Sequence, residues 1–186
     1  YEDFRELLVQ KDIDAVVIAT PDHWHAVHAI RAAEAGKDIY CEKPLSLTVR
    51  EGRAMVKAAR KHNRVFQTGS MQRSAPEFRQ PAELIRNGYL GQIKDIKVSI
   101  GGGPLPYDLP KEDLPAGLNW DLWLGPAPFI DYNPAYLPFN WRGWWAFGTG
   151  ALGDMACHIM DAAFRILPID YPTEVECSTT TMWKGF

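Results

Sequence analysis

The chain has 186 residues, enough for one large or two modest domains. Hydrophobic residues make up 46% and charged residues 23%, the balance of an ordinary globular protein. The formal net charge of -3 and the lack of a basic tract argue against a nucleic-acid partner, and no apolar run approaches the roughly 18 residues of a membrane span.

The chain opens inside a helical pattern, with Phe4, Leu7 and Leu8 apolar at helical spacing. No initiator Met, signal peptide or strand precedes it, so a further piece is expected in front. Residues 14–20 form a continuous apolar, β-branched run, the pattern of a strand buried on both faces of a parallel sheet. Pro21 and Asp22 break the run and open a helix. Trp24, Val27, Ile30 and Ala33 recur on one side of that helix, and Gly36 ends it. A short strand over 38–41 follows. Ser46 or Thr48 caps the next helix, whose apolar side holds Ala54, Met55, Ala58 and Ala59 and which ends at Asn63. Residues 65–68 form the third strand. Strands and helices alternating over short joints imply parallel pairing with right-handed crossovers.

A polar break at 71–76 leads into a helix over 76–87, closed by Gly88 and Gly91. Residues 93–100 alternate Ile96, Val98 and Ile100 with Asp95, Lys97 and Ser99, which predicts a half-exposed strand. The domain change is placed near 71–74, giving domains 1–72 and 73–186. Residues 101–145 are rich in proline, glycine and aromatics, and six of the seven tryptophans lie beyond residue 119. A loop region this long is usually functional. Within it, Asn119 caps a short helix through Trp123, stopped by Gly125-Pro126. A helix over 149–167 and a second half-exposed strand over 173–182 complete the chain.

Four constellations could carry chemistry. The first is Lys43, between Glu42 and Pro44 at the carboxyl end of the 38–41 strand. Ligands of open parallel sheets sit outside such ends, and proline stiffens the turn; a solvated Lys is the plain alternative. Thr20, Pro21 and Gly69 end the neighbouring strands on the same edge. The second is Asp154, His158 and Asp161, at offsets of four and seven on one helix face. A His with a carboxylate neighbour suits a general base, and a solvated helix face is the rival. Nothing nearby supplies more ligands, so no metal is expected. The third is His23, His25 and His28. The first two follow a strand end and are placed to touch a ligand, whereas His28 reads as surface or half-buried. The fourth is Gly148-x-Gly150-x-x-Gly153. It fits a dinucleotide fingerprint in letters, but no β-branched strand precedes it. Its glycines read instead as letting neighbours crowd together. Cys41, Cys157 and Cys177 show no metal or C-x-x-C spacing and read as free, buried thiols.

Ala19-Thr20-Pro21-Asp22-His23-Trp24-His25, Cys41-Glu42-Lys43-Pro44-Leu45 and Gly153-Asp154-Met-Ala-Cys-His158-Ile-Met-Asp161 together resemble the Gfo/Idh/MocA oxidoreductases. The resemblance runs through nearly the whole chain, in order. It implies an α/β fold: a partial Rossmann domain with a parallel sheet, then part of an α+β domain with an open, mainly antiparallel sheet. That sheet would be the interface of a homo-oligomer, a dimer or tetramer. The resemblance also implies an NAD or NADP cofactor and a sugar, cyclitol or related polyol substrate. Lys43, Asp154 and His158 would be catalytic, with His158 the acid/base, Lys43 on the reacting hydroxyl and Asp154 positioning substrate. Thr20, Pro21, His23, His25, Glu42, Lys43 and Pro44 would line the cofactor, with Trp141 and Arg142 at its junction with substrate. The aromatic stretch 138–147 looks most like bacterial members, many of them exported; a cytoplasmic or periplasmic site stays open. The family's first strand, phosphate turn and ribose-binding acid have no counterpart among these residues. Two rivals remain. One is an NAD-dependent enzyme that cleaves glycosides on the same scaffold by transient oxidation and elimination, and the other is a non-catalytic sugar- or nucleotide-binding remnant.

Overall fold

A computed structural model describes residues 1–101 and 109–178. Three parallel strands, β1 (Ala15–Ile18), β2 (Asp38–Cys41) and β3 (Phe66–Thr68), form one sheet in the order β1-β2-β3. Ala15 stands opposite Asp38 and Ile39 opposite Phe66. Helix α1 (Phe4–Leu8) precedes the sheet, and α2 (Asp22–Glu34) and α3 (Val49–Lys61) make the two crossovers. The limits of α3 follow from local chemistry. The Thr48 hydroxyl accepts from the Glu51 N–H while the Glu51 carboxylate accepts from the Thr48 N–H, a reciprocal cap. At the other end Asn63 adopts φ 51°, a left-handed residue that stops the helix.

The sheet core holds Ile18, Ile39, Cys41 and Met55 packed on Ala26, Ala29, Ala32 and Ala33. Burying a side chain the size of Met55 contributes about 1.5–3 kcal/mol. Two expectations are corrected. Of the apolar face expected on α2, only Ala33 is fully buried and Ile30 packs partly buried against the sheet core; the alanines, not Trp24 and Val27, make most of that contact, because small side chains let the backbones approach. Strand β1 is not enclosed on both faces either. Val17 is 74% exposed, whereas Ile18, on the opposite face, is buried. An open hollow of about 450 Å³ lies along it, lined by Phe4, Leu7, Val16 and Ala32 among others.

A short 3-10 turn (Met71–Ser74) leads to α4 (Pro76–Arg86). Residues 93–100 carry no strand, and neither do 173–178; the rest of the second expected strand, 179–182, lies outside the described residues. Alternation alone does not make a strand, which needs a partner for its ladder, and none is present among the described residues. The open antiparallel sheet is therefore not formed by them.

The aromatic stretch builds its own core without a sheet. Helix α5 (Trp120–Leu124) is capped by the Asn119 side chain and ends at Gly125 with φ 49°, as its sequence predicts. Trp120, Leu124, Tyr132, Tyr136, Trp141 and Phe147 close on one another. Trp120 stacks on Trp123 at 4.7 Å, and Trp123 meets Phe147 edge-on at 4.8 Å. The helix expected over 149–167 is broken at Met160 into α6 (Gly150–Ile159) and α7 (Asp161–Ile166). No helix among the described residues is long and apolar enough to cross a membrane.

Candidate active site

Strand β2 delivers Glu42, Lys43 and Pro44 to the carboxyl edge of the sheet, and the Lys43–Pro44 peptide is cis. The Glu42 N–H donates to Ile18 O at 2.9 Å and the Gly69 N–H to Cys41 O at 2.7 Å, so all three strand ends are tied together. Gly69 is small for its neighbour's sake. A Cβ there would lie 2.7 Å from Glu42 Oε2, so the carboxylate fills that space. The same oxygen accepts from the Lys43 N–H at 3.3 Å.

From this turn the Lys43 ammonium reaches α6. It donates to the Asp154 carboxylate and, at 3.1 Å, to the Asp154 carbonyl. Both side chains are largely enclosed. His158 follows Asp154 by one helical turn. Its Nδ1 is buried and has no hydrogen-bond partner. Burial, and next the Lys43 charge, lower its pKa below the ordinary 6.5, against the opposite pull of Asp154 and Glu42. The ring is therefore neutral at physiological pH and able to take up a proton.

The third expected member of this face, Asp161, lines one small hollow with His158 and pulls its pKa upward as Asp154 does, but it is not part of the Lys43–Asp154 pair. Asp161 begins α7 and is held by Arg73, whose Nε donates to Oδ2 at 2.6 Å and whose terminal nitrogen donates to Oδ1. The break at Met160 and this bidentate pair engage it outside the Lys43–Asp154 pair.

Arg142 joins the site from the aromatic side. Its Nε lies 3.7 Å from Asp154 Oδ2, and its guanidinium sits over the Phe139 and Trp141 rings at 4.2 and 4.3 Å. Trp141 is buried in the aromatic core and donates its indole N–H to Pro138 O at 3.2 Å, so it supports Arg142 from behind. The glycine-rich run is explained by packing. A Cβ on Gly148 would come within 2.5 Å of Arg142 O, and one on Gly153 within 2.3 Å of Thr149 Cβ. The residues ahead of it, Asn140–Gly143, form a 3-10 turn and no strand.

Sequence reasoning placed His23 and His25 against a ligand, but both are buried with every ring nitrogen facing backbone. His23 lies between Trp123 O (3.0 Å) and Phe147 O (3.4 Å), and His25 between Thr20 O (2.8 Å) and Pro44 O (2.7 Å). Thr20 turns its hydroxyl toward His28 Nδ1 at 3.3 Å. Asp22, read only as a helix opener, is a buried member of the site's surroundings. Burial raises its pKa, and it accepts from the Thr149 hydroxyl at 3.2 Å, at the entry of α6. Nothing in its sequence context signals that role, because the partner is 127 residues away. A hollow of about 590 Å³ lined by Lys111, Glu112, Phe129 and Asp131 includes none of these site residues.

Residues 1–70 match the family model described as an oxidoreductase family, NAD-binding Rossmann fold. Residues 102–183 match that of the same oxidoreductase family's C-terminal alpha/beta domain. The chain belongs to the Gfo/Idh/MocA family. Among curated Gfo/Idh/MocA relatives, levoglucosan dehydrogenase of Pseudarthrobacter phenanthrenivorans is 36% identical over 162 residues, covering 87% of this chain and 35% of the relative. Inositol 2-dehydrogenase of Salmonella typhimurium is 33% identical over 93 residues, covering 50% of this chain and 28% of the relative. A solved myo-inositol 2-dehydrogenase from Lactobacillus plantarum is 34% identical, with a TM-score of 0.48, over 50% of this chain and 28% of that one. The chain thus spans about a third of the length of the curated relatives it matches.

The cofactor of this Gfo/Idh/MocA fold is a nicotinamide dinucleotide. The residues present fit one. The strand ends converge on one rim, tied to one another through Ile18 O and Cys41 O, and Glu42 offers a half-buried carboxylate there.

Proposed function

We propose that these residues form the reacting part of an NAD(P)-dependent dehydrogenase acting on a hydroxyl group of a sugar, cyclitol or related polyol. One observation carries the reading: Lys43, from the end of a Rossmann strand, is bonded to Asp154, one turn ahead of His158 on α6. When bound, the nicotinamide supplies the hydride acceptor. Thr20, Pro21, Glu42 and Pro44 form the rim that holds the dinucleotide, with Arg142 at its substrate end. His158 takes the proton of the substrate hydroxyl. Its Nδ1 has no accessible surface, so the transfer falls to Nε2. The Lys43 ammonium stabilises the oxyanion that develops on that hydroxyl. Asp154 holds the ammonium in place and, with Arg142, brackets the substrate. The substrate class rests on the names of the levoglucosan and inositol dehydrogenases among the relatives.

In this reading the domains divide between residues 72 and 73. Residues 93–100 and 173–178 gain partners in an open, mainly antiparallel sheet, and that sheet joins protomers. A panel of polyols, cyclitols and anhydrosugars with NAD or NADP, followed by cofactor absorbance, tests the activity. Cofactor reduction with one of them supports it. Aglycone release without net reduction, or no turnover on any of them by a protein that binds the cofactor, would overturn it.

A further inference from the structure

We infer that His25 is a positioning residue for Lys43: its imidazole bridges the backbone carbonyls of Thr20 and Pro44 and so fixes the turn that carries the ammonium. The catalytic consequence rests on the dehydrogenase reading above, whereas the geometry does not.

The ring is 1% exposed, and its two nitrogens lie 2.8 Å from Thr20 O and 2.7 Å from Pro44 O. These oxygens follow two neighbouring strands, β1 and β2. A carbonyl only accepts, so each contact calls on a ring N–H. A ring with one proton secures one carbonyl, and a ring with two secures both. Proline has no N–H, which leaves the carbonyl as the only backbone group through which Pro44 can be held. On the far side of the same turn, the Lys43 N–H faces Glu42 Oε2 at 3.3 Å. The Lys43–Pro44 segment thus has a carboxylate on the Lys43 N–H and an imidazole nitrogen on the Pro44 carbonyl.

Helix α2 itself gains nothing polar from this ring. The neighbouring core positions Ala26, Ala29, Ala32 and Ala33 are filled by methyl groups. A buried imidazole spent entirely on the main chain of two strand ends holds those ends in register. Lys43 must span from that turn to α6, where it meets both oxygens of Asp154 named above. A small rotation at Pro44 is amplified along the lysine side chain and parts this contact.

The test uses the full-length protein with His25→Leu, which fills the space without a donor, and His25→Gln, whose amide carries two N–H groups. Two readouts are taken. The first is the rate at which acetic anhydride labels Lys43, followed by mass spectrometry with no substrate or cofactor present. The second is kcat and KM on whichever polyol the wild type turns over. In His25→Leu, labelling is expected to rise severalfold, and kcat to fall about tenfold with KM within about twofold, because a misplaced catalytic group costs the chemical step rather than binding. His25→Gln stays near the wild type in both. A folded His25→Leu protein with wild-type labelling and turnover overturns the inference. If His25→Leu does not fold, His25→Ala takes its place: raised Lys43 labelling in a folded protein upholds the clamp, and wild-type labelling overturns it. Should the wild type turn over no polyol, the labelling still decides the role of His25, and only the reaction fails.

Discussion

Lys43 and Asp154 stand 111 residues apart and meet as one ion pair, with the same ammonium also bonded to the Asp154 carbonyl. The double contact matters because the carbonyl belongs to the backbone of α6 and the carboxylate to its side chain. Lys43 therefore reports the position of the helix itself. His158 rides one turn further along that helix and feels the Lys43 charge.

Lys43→Met removes that charge while keeping the aliphatic stem. In the full-length enzyme, turnover is expected to drop about 100-fold or more, the usual loss for a group that stabilises a developing oxyanion. The pKa of His158 should climb toward 6.5, since one of its two depressing influences is gone. An NMR titration of the imidazole reads this without activity. Turnover at the wild-type rate would sink the assignment of Lys43.

The wild-type pH profile follows from the same residue. A lowered His158 pKa means that the basic form is present above that value and lost beneath it. The rate of hydroxyl oxidation should rise through an acid limb below pH 6.5 and be flat across neutrality with respect to His158. A limb centred well above 6.5 would show that another group is the base.

Asp154→Ala leaves Lys43 and Arg142 facing each other without the carboxylate between them. Removing one partner of an enclosed pair costs about 3–5 kcal/mol. Denaturant unfolding should register about 3 kcal/mol, and the His158 pKa should fall further because Asp154 raises it. Unchanged stability would show that the pair is not formed in solution.

Asp161→Asn tests whether Asp161, which shares a small hollow with His158, takes part in the chemistry. It weakens the half-exposed Arg73 pair, worth about 1 kcal/mol at most. Turnover should stay within about twofold of wild type. A loss comparable to that of Lys43→Met would return Asp161 to the site.

His28 links pH to folding. Burial pushes its pKa down to about 4, from 6.5, as it stacks on Trp24 at 4.5 Å. With the folded value depressed, its contribution is full above pH 6.5 and is lost as pH falls toward about 4. His28→Leu should cost about 1 kcal/mol at pH 7, through the Thr20 hydrogen bond. The same variant should lose less stability than wild type between pH 7 and pH 5. Parallel losses in urea titrations at the two pH values would contradict this.

Much of the fold was legible because its signals are local. The β-branched run gave β1, the Thr48–Glu51 spacing gave the start of α3, and Asn119 with Gly125 bounded α5. The failures share a cause, dependence on distant partners. Residues 93–100 alternate correctly for a strand but find no ladder among the described residues. Helix α2 shows its tryptophan in the sequence, whereas alanines, with Ile30 beside them, make its core face. Lys43, Asp154 and His158 were readable as motifs on separate elements. The roles of Asp22, His23 and His25 were not, because each is fixed by an oxygen contributed from elsewhere in the chain.

The first turn of α2 grips the aromatic block through main-chain oxygens: the Trp24 indole donates to Leu122 O and Trp123 O, and the His23 N–H to Phe147 O at 3.3 Å. Every amino acid carries such an oxygen. The seam between the two halves is therefore indifferent to side-chain identity at 122, 123 and 147 as far as these bonds go. What stays selective at that seam is shape: the Trp123 and Phe147 rings lie 5.3 Å from His23, and a Cβ at Gly125 would come within 2.0 Å of the Trp24 indole.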